Sequence, residues 1–292
     1  MSDRGPSIHR LAGAIAMMCG LLVTAVLTAQ GGRGGNPEMT RGNQLDVAGK
    51  TAEARAVFQQ VHDSSTDAYA KSQALRAIAM SYAFDGDCAN TVKYEEMVIK
   101  YWISREQAEP QNAFYQEGEM ANEAARVCID HGQFDIAEEF YRRGTDYGLR
   151  EPEPKKNPKS LWQFRLTHAL GRLAARRGNA AEARKYVAEA RRILDSDAAM
   201  APAQERFFPY LQGYVELYLN NNQVALDLLL KNVATTGNTT DPYFHALVGM
   251  AYEKLNQAEK AKEFYAKAYD LATAHNPPAA FTRPFTSKKL GR

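Results

Sequence analysis

Residues 246–268 read ALVGMAYEKLNQAEKAKEFYAKA, two helical runs parted by Asn256, with the small residues Gly249 and Ala261 twelve positions apart. The same spacing returns in Gly42 and Ala54, Ala125 and Ala137, Gly171 and Ala183, and Gly213 and Ala225. Gly49, Gly132, Gly178 and Asn220 stand between the members of those pairs, each suited to ending a helix. Two antiparallel helices joined by a tight turn cross closely only where side chains are small. The spacing therefore predicts a helical hairpin at each pair, its two small residues at the crossing. A sixth hairpin is weaker: Ala79, Tyr82 and Gly86 fit, but Thr91 stands where the second small residue belongs.

From Pro37 onward apolar residues recur at three and four, as in Phe134, Ala137, Phe140 and Tyr141, and no useful stretch alternates with period two. The fold class is all-α. Gly249, Tyr252, Ala261, Tyr265, Ala268 and Pro277, followed by Gly132, Ala137 and Tyr141, resemble the tetratricopeptide repeat family, here of an exported, bacterial type. The resemblance covers residues 35–275. The second small positions fall at 54, 91, 137, 183, 225 and 261, every step exceeding the family's repeat of about 34 residues, so loops or helices are longer than standard. The resemblance implies a right-handed α-solenoid of about six antiparallel hairpins. It also implies a concave groove for peptides or protein segments, and no chemistry.

Composition supports a soluble globular chain: 45% apolar and 24% charged residues with mean hydropathy −0.47 exclude collagen, a polytopic membrane protein and wholesale disorder. Residues 1–29 read as an export signal: Arg4 and Arg10 precede an uncharged run from Leu11 to Ala29, with Ala25 and Ala29 at cleavage positions. Retention of residues 11–29 as a membrane anchor is the alternative. Met18 before Cys19 argues against lipidation, and the Gly31–Gly35 tract, following no strand, makes residues 30–36 a flexible linker. Hairpins then occupy 37–150 and 161–275. The segment 151–160, with Pro152, Pro154 and Pro158, divides them as a joint, and 276–292 is a basic tail containing Pro277, Pro278 and Pro284. That tail either frays or lays Phe281 and Phe285 over the last hairpin's apolar face.

Charge is balanced overall. Without Asp3, Arg4 and Arg10 the remainder carries 34 basic and 33 acidic residues, and neither a basic domain nor a reading motif points to nucleic acid. Locally it is uneven: Arg150 to Arg192 holds 12 basic and 4 acidic residues, Ile103 to Tyr147 holds 4 and 10. Complementarity between neighbouring hairpins is one reading. Helical phase gives another. Arg165, His168, Arg172 and Arg176 form one stripe, and Phe207, Tyr210, Tyr214 and Tyr218 repeat its spacing of 3, 4 and 4. By the resemblance that phase lines the concave groove. Guanidinium forks beside phenols suit an extended protein or peptide ligand with acidic groups. Burial of the aromatic stripe as core is the alternative.

No metal or catalytic pattern stands out. His9, His62, His131, His168, His245 and His275 lack ligand spacing, and there is no nucleophile elbow, Walker loop or nucleotide fingerprint. Glu95-Glu96 and Glu138-Glu139 diverge on a helix. No cofactor is expected. Cys88 and Cys128 sit at the same edge of neighbouring hairpins, so an oxidising compartment permits a disulfide; independent burial is the alternative. The sequence thus describes a non-enzymatic scaffold, periplasmic or secreted, binding through the groove of its fourth and fifth hairpins. A structural subunit docking by its convex face or tail is the second reading, an envelope enzyme the third.

Overall fold

A computed structural model describes residues 36–292. The expected signal, its Leu11–Ala29 run with Cys19, and the Gly31–Gly35 tract lie outside the described residues.

Six helical hairpins follow one another: α1 (Pro37–Val47) with α2 (Thr51–Ser64), α3 (Ala68–Phe84) with α4 (Cys88–Ile103), and α5 (Pro110–Asp130) with α6 (Phe134–Gly148). Then come α7 (Lys159–Arg176) with α8 (Ala180–Ser196), α9 (Phe208–Tyr218) with α10 (Asn222–Ala234), and α11 (Pro242–Lys254) with α12 (Ala258–Leu271). A last helix, α13, spans Pro277–Leu290. Asp67, Asp87, Asn179 and Asp241 cap their helices by accepting backbone N–H bonds. Every expected turn residue reverses the chain with positive φ: Gly49, Gly86, Gly132, Gly178, Asn220 and Asn256 lie between 58° and 81°. The chain is an all-α solenoid of stacked hairpins.

The crossings differ in detail from two small residues meeting. A Cβ added to Gly42 would lie 2.2 Å from Phe58, one at Gly213 2.7 Å from Leu229, and one at Gly249 2.5 Å from Tyr265. Each intruding residue lies four positions after the paired alanine. The glycine receives a large side chain, and the buried alanine one turn earlier lets the helices approach. Among those glycines Gly171 has the most room, its nearest neighbours being Leu211 and Tyr186 at 3.3 Å.

Residues 151–160 clasp their neighbours. Buried Glu151 accepts bonds from Trp162 Nε1 at 2.6 Å, from Asn157 at 2.8 Å and from the Gln111 amide, and α6 packs on α7 across the segment. Likewise the tail is helical. Helix α13 packs on α11 and α12, as a seventh first helix would, and also on α3 and α5. Phe281 and Phe285 pack with Tyr243 and Tyr265, while Ala279 and Ala280 join Met80, Ala83, Phe84 and Val127. Arg283 donates to the Val47 carbonyl at 3.1 Å, tying the end of the chain to α1. The array closes on itself.

Candidate functional site

The first helices of the hairpins face one another, and their inner stripes were the expected ligand surface. Arg172, at 5% exposure, is buried, with Nη1 donating to Tyr210 Oη at 3.2 Å and Nη2 to Tyr141 Oη at 3.1 Å. Arg176, part-exposed, donates to Tyr214 Oη at 3.2 Å and lies over the rings of Phe134 and Tyr218. The arginine and phenol rows do meet, as their shared phase requires, but they bond to each other. His168, Arg172, Tyr210 and Tyr214 are interior residues, which corrects the expectation of a solvent-facing wall. Burial, with the Arg172 charge beside it, pushes the His168 imidazole well below its ordinary value, so the ring is neutral.

Arg165 takes a third course, pairing with Glu119 of α5. Arg177 bonds Asp135 at 2.6 Å and Glu138 at 2.5 Å. Acidic third and basic fourth hairpins are matched to each other, the reading of neighbour complementarity. Phe207 and Tyr218 are part-exposed and pack at the edge of the last core.

Four members of the cluster escaped the sequence reading. Arg126 and Asp130 follow Glu119 and Glu123 on one stripe of α5, spaced 4, 3 and 4, which the phase argument used for α7 could have found. Tyr141 and Tyr243 complete it: Tyr243 donates to Asp130 Oδ1 at 2.8 Å, and the Arg126 guanidinium lies 4.3 Å from the Tyr243 ring centre. Only tertiary contact brings those two tyrosines in.

On the outside, the second helices α8 and α10 flank α9 in an open cleft of about 330 Å³. Val187, Val215, Val224 and Leu228 form its apolar wall, with Arg184, Gln212 and Glu216 around it. Val224 is 53% exposed. Gln212 and Glu216 form part of its lining, and Arg184 lies 3.6 Å from Glu216. Cys88 and Cys128 form a disulfide, joining the start of α4 to the end of α5. Among the described residues no cluster of metal-ligating side chains is present, and no helix is long and apolar enough to cross a membrane.

Residues 243–275, the sixth hairpin, match the family model of the tetratricopeptide repeat. No curated protein matches the sequence significantly. The hairpin at 243–275 is thus a tetratricopeptide repeat, the described residues as a whole have a TPR-like α-solenoid fold, and repeats of this kind are typically non-catalytic scaffolds for protein interaction.

Proposed function

We propose that this tetratricopeptide scaffold is exported and non-enzymatic, and that it holds a protein or peptide segment on its outer wall, in the cleft between α8, α9 and α10. The observation that carries this reading is the contrast between the two walls. Inside, the stripes bond to one another and α13 covers α3 and α5; outside, the cleft stays open beside an exposed valine. The docking surface is then the convex face, not the inner groove.

The cleft suits an apolar side chain followed by a carboxylate, the first against Val187, Val215 and Leu228, the second at Arg184. Covering ~100 Å² of apolar surface contributes roughly 2.5 kcal/mol, and an exposed ion pair about 0–1 kcal/mol. One anchor is weak, so the partner must run further along α8 and α10.

A photo-crosslinking residue at Val224 should give a discrete adduct that is lost when Leu228→Glu is added. An adduct formed instead from Gln116, three residues before Glu119 on the inner stripe, and indifferent to Leu228→Glu, would return binding to the inner wall. Export is read from the mature terminus: cleavage after Ala29 gives a chain beginning at Gln30, whereas an intact Met1 in the membrane fraction favours the anchor.

A further inference from the structure

The inner cluster has more donors than acceptors. Arg126, Arg172 and Arg176 bring three guanidinium groups together, and His168 beside them is neutral. The carboxylates facing them are Asp130 and Asp241, and Asp241 is occupied in capping the α11 backbone. Asp130 accepts from Tyr243 and forms a loose ion pair with Arg126, its Oδ2 lying 3.5 Å from Nε, which offsets one of the three positive charges without a short hydrogen bond. Arg126 Nε and Nη2 and Arg172 Nε are buried without a hydrogen-bond partner, and the one carboxylate oxygen of the cluster in the same condition, Asp130 Oδ2, faces Arg126 alone. The Tyr141 and Tyr210 hydroxyl oxygens already accept from Arg172, so each has its own O–H to donate. Among the described residues neither proton has an acceptor.

Buried guanidinium groups are normally paired with carboxylates or other anions, because desolvation strongly penalises an unmatched charge. Here Arg172 is nine-tenths buried and has only phenol partners. Such a set of convergent donors, contributed by α5, α6, α7 and α9, is chemically complementary to an oxyanion.

We propose that this cluster binds a small multivalent oxyanion, a phosphate or phosphoryl group, held by Arg126 and Arg172 with the Tyr141 and Tyr210 hydroxyls. Arg176, Tyr218 and Phe134, all part-exposed, form the rim through which it enters. Bound there, the anion bridges the third, fourth and fifth hairpins and stabilises the closed array by mass action. The site is independent of the outer cleft.

Calorimetric titration of the full mature chain with inorganic phosphate, at constant ionic strength set by chloride, tests this. Binding should be measurable and should raise the melting temperature, with chloride alone doing neither. Tyr141→Phe with Tyr210→Phe keeps the rings and the packing and should weaken phosphate at least about tenfold, each lost bond being to a charged group. Arg172→Met should abolish binding. Val224→Glu should leave it unchanged, which separates this site from the proposed docking cleft. A phosphate monoester tests the source: equal affinity means that the group enters on a larger molecule, and exclusion means the free ion, either outcome supporting the site. Absence of any phosphate binding to the parent chain, or binding unaltered in the tyrosine pair, overturns the proposal. So does a crystal grown in phosphate whose cluster holds only water.

Discussion

His275 Nε2 and Asp46 Oδ2 lie 2.7 Å apart although 229 residues separate them. The contact joins the loop before the last helix to the first helix of the array. Asp46 is buried and also accepts from the Ser81 hydroxyl at 2.7 Å, so one carboxylate gathers the first hairpin, the second and the chain's end. The His275 ring lies against Phe58 and Phe84, sealing the seam with apolar area.

Asp46→Ala leaves the His275 ring without its partner in a largely buried setting, while the Ser81 hydroxyl falls back on the Thr51 carbonyl at 3.2 Å. An unsatisfied buried group of this kind destabilises by about 1–3 kcal/mol. Urea unfolding should show the midpoint falling accordingly, and a change under about 0.5 kcal/mol would mean that the seam contributes nothing.

Gly148→Ala and Gly171→Ala should differ in sign. A Cβ at Gly148 would lie 2.0 Å from the Trp162 indole, which the Glu151 bond holds in place, so overpacking should destabilise by about 1–3 kcal/mol. At Gly171 the nearest atoms are 3.3 Å away, so the helical preference for alanine, up to about 1 kcal/mol, can prevail. Thermal melts of the two variants check this, and equal losses would contradict the crossing geometry.

Glu117 sits fully buried with neither carboxylate oxygen bonded. Burial, and then the Glu106 charge, raise it to about 7 from an ordinary 4.5. A carboxyl raised in the folded state gives stability that is fully present below pH 4.5. It is lost as pH climbs toward 7, because the unfolded chain releases the proton first. The loss across that window is on the order of 3 kcal/mol. Glu117→Gln should therefore be more stable than the parent at pH 8 and close to it at pH 4; parallel stability curves would rule the raised carboxyl out.

Reducing the bond between Cys88 and Cys128, or replacing both residues by alanine, should lower stability by about 2–4 kcal/mol, since the bridge closes a loop of sequence separation 40. Melts with and without reductant measure it. Two alkylatable thiols in protein taken from its native compartment would instead mean that the pair is reduced there.

Arg172→Glu with Arg176→Glu, which an open groove would tolerate, should fail to give a cooperative melt. A carboxylate at position 172 would face the Tyr141 and Tyr210 phenols in place of the guanidinium that now bonds them. A stable, folded double variant would restore the open groove.

The sequence by itself determined the hairpins: small residues twelve apart, a turn residue between them, and apolar periodicity are local requirements, and each maps to a local outcome. Gly132 and Asn256 turn where they should, and the sixth hairpin matches the repeat family. Helical phase likewise placed Arg172 and Tyr210 on facing stripes. Phase fixes which side of a helix a residue takes, not what stands opposite. Whether the inner wall met solvent depended on α13 returning to α3 and α5, and on Tyr243 reaching Asp130 across 113 residues. Those contacts follow from the small rotation added at each stacked hairpin, a sum over the whole array that no single stretch of sequence encodes. The outer cleft was decided the same way, where Val187 of α8 and Leu228 of α10 meet Val215 of α9.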